Sequence, residues 1–502
     1  RSHAGDCAST IVMGAMGHST ALKFDMPALI VGLAREGTAL ARFLAERGAR
    51  VTVTDIKPAE ALSDQLAELE GFPVTLALGE HPTVLLDKVD VVFVSPGVPL
   101  HIALLEEARR RGLPLCSETR LFTYLCPAPV MGISGSSGKS TTTVLVNEML
   151  RAAGLTTWMG GNIGRPLLEH LDQMAATDRV VMELSSFQLD FFGPAAGDWA
   201  QDRFGRLLGS ILDPFGWSPH IAALLNVTPN HLDRHGHMTA YVAAKTQILA
   251  HQQAGDLAVL NADNAITRRL GRALQARDRQ RVIWFSSEQP VEEGACLHKG
   301  KLVLRWAGRE EIICGKDDLR LLGDHNVANT LAACTLAAAA GAPAAALRQS
   351  AVSFTGVEHR LEMVRERKGV RWYNDSIATA PERTVAALQA FPNDPIILLA
   401  GGRDKDLPWE EMAALTHKRV RHLILFGEAA SLIEGVMRET KSVASQTRIH
   451  HAGTLEGATQ MAAGLAVPGD VVLLAPGGTS FDAYPDFVAR GEHFRELVRA
   501  LE

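Results

Sequence analysis

Short apolar runs alternate with amphipathic stretches along most of the chain. Residues 28–33 read as a buried strand, 37–47 as a helix, and 49–55 as a second strand that closes on Asp55. Residues 89–98 form a third strand ending in Ser95-Pro96-Gly97. The same grammar returns with a strand at 130–134 and a helix from 141 to 153 that stops at Gly154. Strands follow at 179–189, 220–228 and 257–263, with a helix over 241–252 between the last two. Beyond Gly356 to Leu361 the style changes, and three more strand candidates stand at 395–402, 420–427 and 470–478. Strands separated by helices predict parallel sheets covered by helices.

The expected fold class is therefore α/β in three domains. A Rossmann-like N-terminal domain spans 27–127, a central P-loop domain spans 128–355, and a C-terminal Rossmann-like α/β domain spans 356–502. Residues 1–26 are small, polar and unpatterned and read as a flexible leader. Residues 190–219, rich in Gly, Pro, Asp and aromatics, break the pattern and read as an insertion.

A length of 502 residues exceeds one core, and 47% hydrophobic with 21% charged residues is the composition of an ordinary globular protein. The net charge of −6 argues against nucleic acid or an acidic membrane as the main partner. Six cysteines, at 7, 116, 126, 296, 314 and 334, lack paired spacing, so neither a disulfide framework nor a zinc site is implied and a reducing cytoplasm is the simplest compartment. No apolar run reaches transmembrane length. Residues 327–347 come nearest, but they carry Asn329, Thr330, Thr335 and Pro343 and read as a buried helix.

The stretch Gly132-Ile-Ser-Gly-Ser-Ser-Gly-Lys-Ser-Thr141 joins a strand to a helix. Its glycines let backbone N–H groups approach phosphate oxygens, and the helix N-terminus adds partial positive charge. Lys139 reaches the β/γ-phosphates and the Ser140 hydroxyl sits on Mg²⁺, which makes this an ATP site. The generic loop has a glycine where Ile133 stands. Glu183, ending a buried strand, is the expected Mg²⁺ partner, because the cation must bridge phosphate and protein. The segment 229–236 gathers His231, Asp233, Arg234 and His235 at a strand end, and His231 is the functional candidate among them. Lys245, taken by itself, reads as a solvated helix lysine. His325, Asn326 and Asn329 start the Ala-rich helix and suit an adenine edge. At the first strand-to-helix turn of the N-terminal domain the glycines are Gly32 and Gly37 only. A nucleotide-sugar phosphate fits that helix start, and an NAD site lacks its third glycine. In the last domain, Asn374-Asp-Ser376, Thr379, Arg403 to Lys405, Thr479 and Ser480 follow strand ends, where binding residues gather.

In this order the motifs closely resemble the Mur ligases of peptidoglycan precursor synthesis. The resemblance covers about residues 28–500 outside 190–219. It rests on the 132–141 loop, whose spacing is normal for that family, with Glu183-Leu-Ser-Ser-Phe-Gln188, Asn226-Val-Thr-Pro-Asn-His-Leu-Asp-Arg234, Gly323-Asp-His-Asn-Val-Ala-Asn329, His359-Arg360 and Asn374-Asp-Ser376. The 183–188 run, the short first domain and residues 476–487 are most similar to the branch that adds D-glutamate to UDP-N-acetylmuramoyl-L-alanine.

The resemblance implies an ATP-dependent amide ligation in cell-wall biogenesis, through an acyl phosphate and a tetrahedral intermediate. It implies a cytoplasmic monomer with small-molecule substrates and two Mg²⁺ ions. Gly135, Ser136, Ser137, Gly138, Lys139, Ser140, Thr141, Asn326, Asn329, Arg360 and Asp375 would serve ATP. Lys139, Glu183, His231 and Lys245 would be catalytic. Ser140, Glu183, His231 and Lys245, the last as a carbamate, would hold metal. Gly32, Asp55, Ser95, Pro96, Gly97 and Asn162 would bind the UDP substrate. Thr379, Lys405, Ser480, Phe481 and Phe487 would line the glutamate pocket. Ile377 stands where the family commonly has a lysine. The alternatives are an L-glutamate-adding relative, another Mur or folylpolyglutamate-type ligase, and a P-loop nucleotide-binding protein without ligation.

Overall fold

The computed structural model describes residues 23–24, 26–193, 216–229, 235–321, 323–405, 407–440 and 445–501. The leader, apart from residues 23, 24 and 26, and the centre of the insertion, 194–215, lie outside the described residues, as do His231, Asp233 and Arg234. The chain divides into two compact units, Arg1–Ser353 and Phe354–Glu502.

The first unit holds two sheets. One contains β1 (Pro27–Val31), β2 (Arg50–Asp55), β3 (Val74–Leu78), β4 (Val91–Val94) and β5 (Leu115–Cys116), in the order β3-β2-β1-β4-β5 and parallel throughout. Leu29, Ile30 and Val31 in the central strand are fully buried, as expected where helices cover both faces of a parallel sheet. The helix Arg35–Glu46 packs Leu40, Phe43 and Leu44 against this sheet.

The second sheet contains β6 (Val130–Ser134), β7 (Thr157–Gly161), β8 (Arg179–Glu183), β9 (Ile221–Leu224), β10 (Leu257–Asn261), β11 (Arg281–Ser286), β12 (Gly294–His298), β13 (Lys301–Trp306) and β14 (Arg309–Gly315). Their order is β14-β13-β12-β11-β10-β9-β6-β8-β7. Strands β6 to β12 pair in parallel, and β12, β13 and β14 form an antiparallel meander. The sequence reading had no strands over 281–315. β11 carries an apolar run, Val282 to Phe285, while β13 and β14 open on charged residues and turn through Lys299 and Ala307, both in the left-handed region, so a tight turn rather than an apolar run carries the signal there.

The helix Lys139–Ala152 buries Leu145, Val146, Met149 and Leu150, and the Ala-rich helix Asp324–Ala339 lies against it with Leu331, Ala332, Ala333, Cys334, Leu336 and Ala337 fully buried. Among the described residues, no helix is long and apolar enough to cross a membrane.

The second unit is one sheet of β15 (Glu362–Arg367), β16 (Val370–Asn374), β17 (Ile396–Gly401), β18 (Val420–Phe426), β19 (Arg448–Gly453) and β20 (Val471–Gly477), ordered β15-β16-β20-β17-β18-β19. All pairs are parallel except β15 with β16. Alternate residues feed separate cores on the two faces. Leu398, Leu423 and Leu473 point to one and Ile397, Ile424 and Leu474 to the other. Three strands were expected here, and six form among the described residues.

Candidate functional site

Open parallel sheets bind ligands beyond the carboxyl ends of their strands, and the candidate residues collect there. β6 ends at Ser134, and the helix Lys139–Ala152 starts after Gly138. Gly138 has φ +81°, and a Cβ on it would stand 2.2 Å from Asn329 Oδ1, so this turn requires glycine twice over. Asn329 is buried and its Nδ2 donates to Asn326 Oδ1 at 3.2 Å, so these two expected ATP residues share the corner with the loop. Lys139 Nζ donates to the carbonyls of Gly135 and Ser136 at 2.9 and 3.4 Å.

Ser140 Oγ donates to Glu183 Oε2 at 2.6 Å, and Asn162 Nδ2 donates to Glu183 Oε1 at 3.0 Å. The Glu183 side chain is thus gripped from both sides at the end of β8. A hydroxyl beside a carboxylate at a phosphate loop is an oxygen donor set suited to a hard cation such as Mg²⁺. Asn162, expected at the UDP substrate, here holds the Glu183 carboxylate.

The other wall of the loop is built by a residue to which no role was given. Asn226 Oδ1 accepts from Ser137 N at 3.0 Å, its Nδ2 donates to the Ser137 carbonyl at 3.2 Å, and its carbonyl accepts from Ser136 N at 3.0 Å. Ser136 Oγ lies 3.1 Å from Tyr241 Oη. One helical turn beyond Tyr241, Lys245 is 2% exposed, which corrects its reading as a solvated lysine. Its Nζ donates to the Gly135 carbonyl at 2.9 Å and lies 4.8 Å from the centre of the Tyr241 ring. Burial, with the Lys139 charge nearby, pushes the amine down to about 7. His235 Nε2 lies 3.0 Å from Ser186 Oγ, and its ring stacks on Phe187.

In the first sheet a cavity of about 570 Å³ opens at the ends of β1, β2 and β4. Gly32, Asp55, Ser95, Pro96 and Gly97, all expected at the UDP substrate, line it together with Arg35, Glu36, Lys57 and His81. Gly32 has φ +96°, and Ser95 Oγ donates to its carbonyl at 2.8 Å, locking the two strand ends together. Asp55 accepts from Leu33 N at 2.6 Å and Lys57 N at 2.9 Å, so its carboxylate shapes the cavity wall. Arg35, Lys57 and the glycine turn supply the positive groups that a diphosphate needs.

In the second unit, Asp375 is buried at the end of β16, accepts from Leu361 N at 3.0 Å, and is pushed up to about 6 by burial, which Arg360 and Arg383 partly offset. Arg490, fully buried and unremarked in the sequence, ties two loops together. Its Nε and Nη2 donate to Ser376 Oγ and to the Ser376 carbonyl at 3.0 and 2.9 Å. Its Nη1 donates to the carbonyls of Gly478 and Thr479 at 3.2 and 3.0 Å. Ser376 Oγ in turn donates to the Phe487 carbonyl at 2.8 Å. Residues 376–379 and 478–481, which carry Thr379, Ser480 and Phe481, are thereby held to the start of the helix Phe487–Ala500. Ser480 is buried, Phe481 is 54% exposed, and Lys405 is exposed.

Three family models match the chain: the Mur ligase MurD-like N-terminal domain over residues 27–117, the Mur ligase middle domain over 212–337, and the Mur ligase glutamate ligase domain over 359–478. A UDP-N-acetylmuramoylalanine–D-glutamate ligase of Symbiobacterium thermophilum is 42% identical over 96% of this chain and 99% of its own length. One of Geotalea uraniireducens is 40% identical over 94% of this chain and 97% of its own. Among solved structures, the UDP-N-acetylmuramate–alanine ligase MurC of Thermotoga maritima matches with a TM-score of 0.52 and 18% identity, covering 95% of this chain and 100% of its own. A MurF of Acinetobacter baumannii matches with a TM-score of 0.50 and 15% identity over 93% of each chain. These two likenesses concern the fold.

Proposed function

This chain belongs to the Mur ligase family, in its D-glutamate-adding branch, and from that premise we propose how its residues divide the work. The enzyme joins D-glutamate to UDP-N-acetylmuramoyl-L-alanine at the expense of ATP in peptidoglycan synthesis. A free carboxylate is a poor acyl donor. The γ-phosphoryl group is therefore transferred to the alanyl carboxylate, giving an acyl phosphate. The glutamate amine attacks its carbonyl carbon, the C–N bond forms, and a tetrahedral intermediate expels phosphate as the amine gives up its proton. Positioning and neutralisation of phosphate charge supply most of the acceleration in such a transfer.

The arrangement of Ser140, Glu183 and Asn162 carries this assignment. The 135–141 loop and Lys139 hold the ATP phosphates, with Asn326 and Asn329 on the nucleotide. Ser140 and Glu183 hold one Mg²⁺, which when bound neutralises phosphate charge. Asn162 orients the Glu183 carboxylate. Lys245 and His231 serve a second ion, with Lys245 as its carbamate. Carbon dioxide reacts with the neutral amine, a form that burial makes far more accessible to Lys245 near pH 7 than to an ordinary lysine. The 570 Å³ cavity takes the uridine diphosphate, and Arg35 and Lys57 meet its charge. Thr379, Lys405, Ser480, Phe481 and Phe487 receive glutamate, and Arg360 and Asp375 serve ATP. The enzyme acts as a monomer in the cytoplasm.

The test is phosphate release from ATP and Mg²⁺ with UDP-N-acetylmuramoyl-L-alanine, with D- or L-glutamate added in parallel. Release that depends on D-glutamate, and falls sharply in Glu183→Gln, is expected. Release with L-glutamate alone would overturn the amino-acid assignment, and an unimpaired Glu183→Gln would overturn the metal site.

A further inference from the structure

Two neighbouring side chains in the wall of the nucleotide-sugar cavity reach the loops on either side of Glu183. Arg35 and Glu36 open the helix Arg35–Glu46, and both line the cavity. Arg35 Nη1 donates to the Gly164 carbonyl at 2.6 Å, and Nη2 donates to the Gly161 carbonyl at 3.2 Å. Between those carbonyls lies Asn162, which grips Glu183 twice, through its side chain at 3.0 Å and through its backbone N–H to the Glu183 carbonyl at 2.8 Å. The loop has no slack there, because a Cβ on Gly161 would stand 2.2 Å from the Glu183 carbonyl oxygen.

Glu36 faces the other way and is buried. Its Oε1 accepts from Gln188 Nε2 at 3.0 Å. Gln188 closes a capping box with Ser185, two residues beyond Glu183. One residue of the cavity wall therefore holds the loop that carries Asn162, and its neighbour holds the turn after β8.

We propose that Arg35 and Glu36 are positioning residues that couple occupancy of the nucleotide-sugar cavity to the geometry of Glu183, so that the UDP-sugar substrate and ATP with Mg²⁺ bind cooperatively. The proposal rests on the assignment of the two sites given above. A diphosphate in the cavity brings its charge beside a guanidinium already bound to the 161–164 loop and fixes both. Ordering imposed by the first ligand then need not be repeated for the second. Coupling of this kind is reciprocal.

The experiment is calorimetric titration of the full-length protein with UDP-N-acetylmuramoyl-L-alanine, with and without a non-hydrolysable ATP analogue and Mg²⁺. It compares wild type with Arg35→Ala, Arg35→Lys and Glu36→Ala. Arg35 is exposed, so its truncation leaves the core intact. In the wild type the analogue should tighten the nucleotide sugar by about fivefold or more, the lower end of ordinary allosteric coupling. The ratio should fall to near one in Arg35→Ala and Glu36→Ala and recover in part in Arg35→Lys, while the analogue still binds each variant alone. Variants that keep the wild-type ratio, or a wild-type ratio near one, would overturn the coupling and leave the site assignments standing. A wild type that binds no nucleotide sugar would overturn both.

Discussion

Lys245 and Glu36 show how burial sets the chemistry of single side chains. Lys245 lies beneath the phosphate loop with its amine against the Gly135 carbonyl. If its carbamate supports the second metal, Lys245→Arg keeps the positive charge but cannot form it, and kcat should fall by about 10- to 100-fold, the usual cost of disturbing a metal's protein partners. Wild-type activity should also drop in buffer stripped of carbon dioxide and return with bicarbonate. Activity indifferent to both would remove the carbamate.

Glu36 poses the opposite problem. Glu36 Oε2 and Glu118 Oε1 are buried without a hydrogen-bond partner, and burial pushes both carboxyls up, with Glu36 raising Glu118 further. Glu36 is pushed up to about 7 and Glu118 to about 8, so above the ordinary carboxyl range the folded protein holds protons that the unfolded chain releases, and stability falls as pH rises toward 8. Glu36→Gln removes one of the two groups. Its melting temperature relative to wild type should rise between pH 5 and pH 9 in thermal scans, and a pH-independent difference would refute the pairing.

At the scale of elements, the turn at Gly138 makes a sharp test. Alanine there adopts a left-handed conformation at a cost of about 1–2 kcal/mol and displaces Asn329. Gly138→Ala should weaken ATP binding, measured by titration, while circular dichroism retains the helix signal. This loop was legible because its chemistry is local: glycine, lysine and serine within a few residues of one strand end. The central strands β1, β6, β8, β17 and β20 were legible for a different reason. They are buried on both faces and read as continuous apolar runs.

What escaped the sequence lacked such a run or needed distant partners. β19, Arg-Ile-His-His-Ala-Gly, is polar because it stands at a sheet edge. The helix Met238–Ala250 is nearly uniform around its circumference, so nothing local says that Lys245 faces inward. Glu36 meets Gln188 across 152 residues, and Arg490 meets Ser376 across 114. Such contacts exist only once the sheets have assembled.

The molecule as a whole has two compact units, each with its own core. Calorimetry should resolve two unfolding transitions. The cavity proposed for the nucleotide sugar lies within the first unit, so a ligand there at 100 times its Kd should stabilise that unit by about 2.7 kcal/mol and raise its transition alone. A single transition shifting as one would show that the units unfold together.

Arg490 has a consequence for how such an enzyme can change over generations. Three of its hydrogen bonds end on main-chain carbonyls, of Ser376, Gly478 and Thr479, which every amino acid provides. Apart from the Ser376 hydroxyl and the glycine at 478, the course of the two loops thus depends little on the side chains displayed along them. Mutation can exchange those side chains, as at Ile377, whose own backbone N–H is held by the His359 carbonyl at 3.1 Å, without redrawing the path of the chain. One invisible arginine leaves the surface above it open to natural variation.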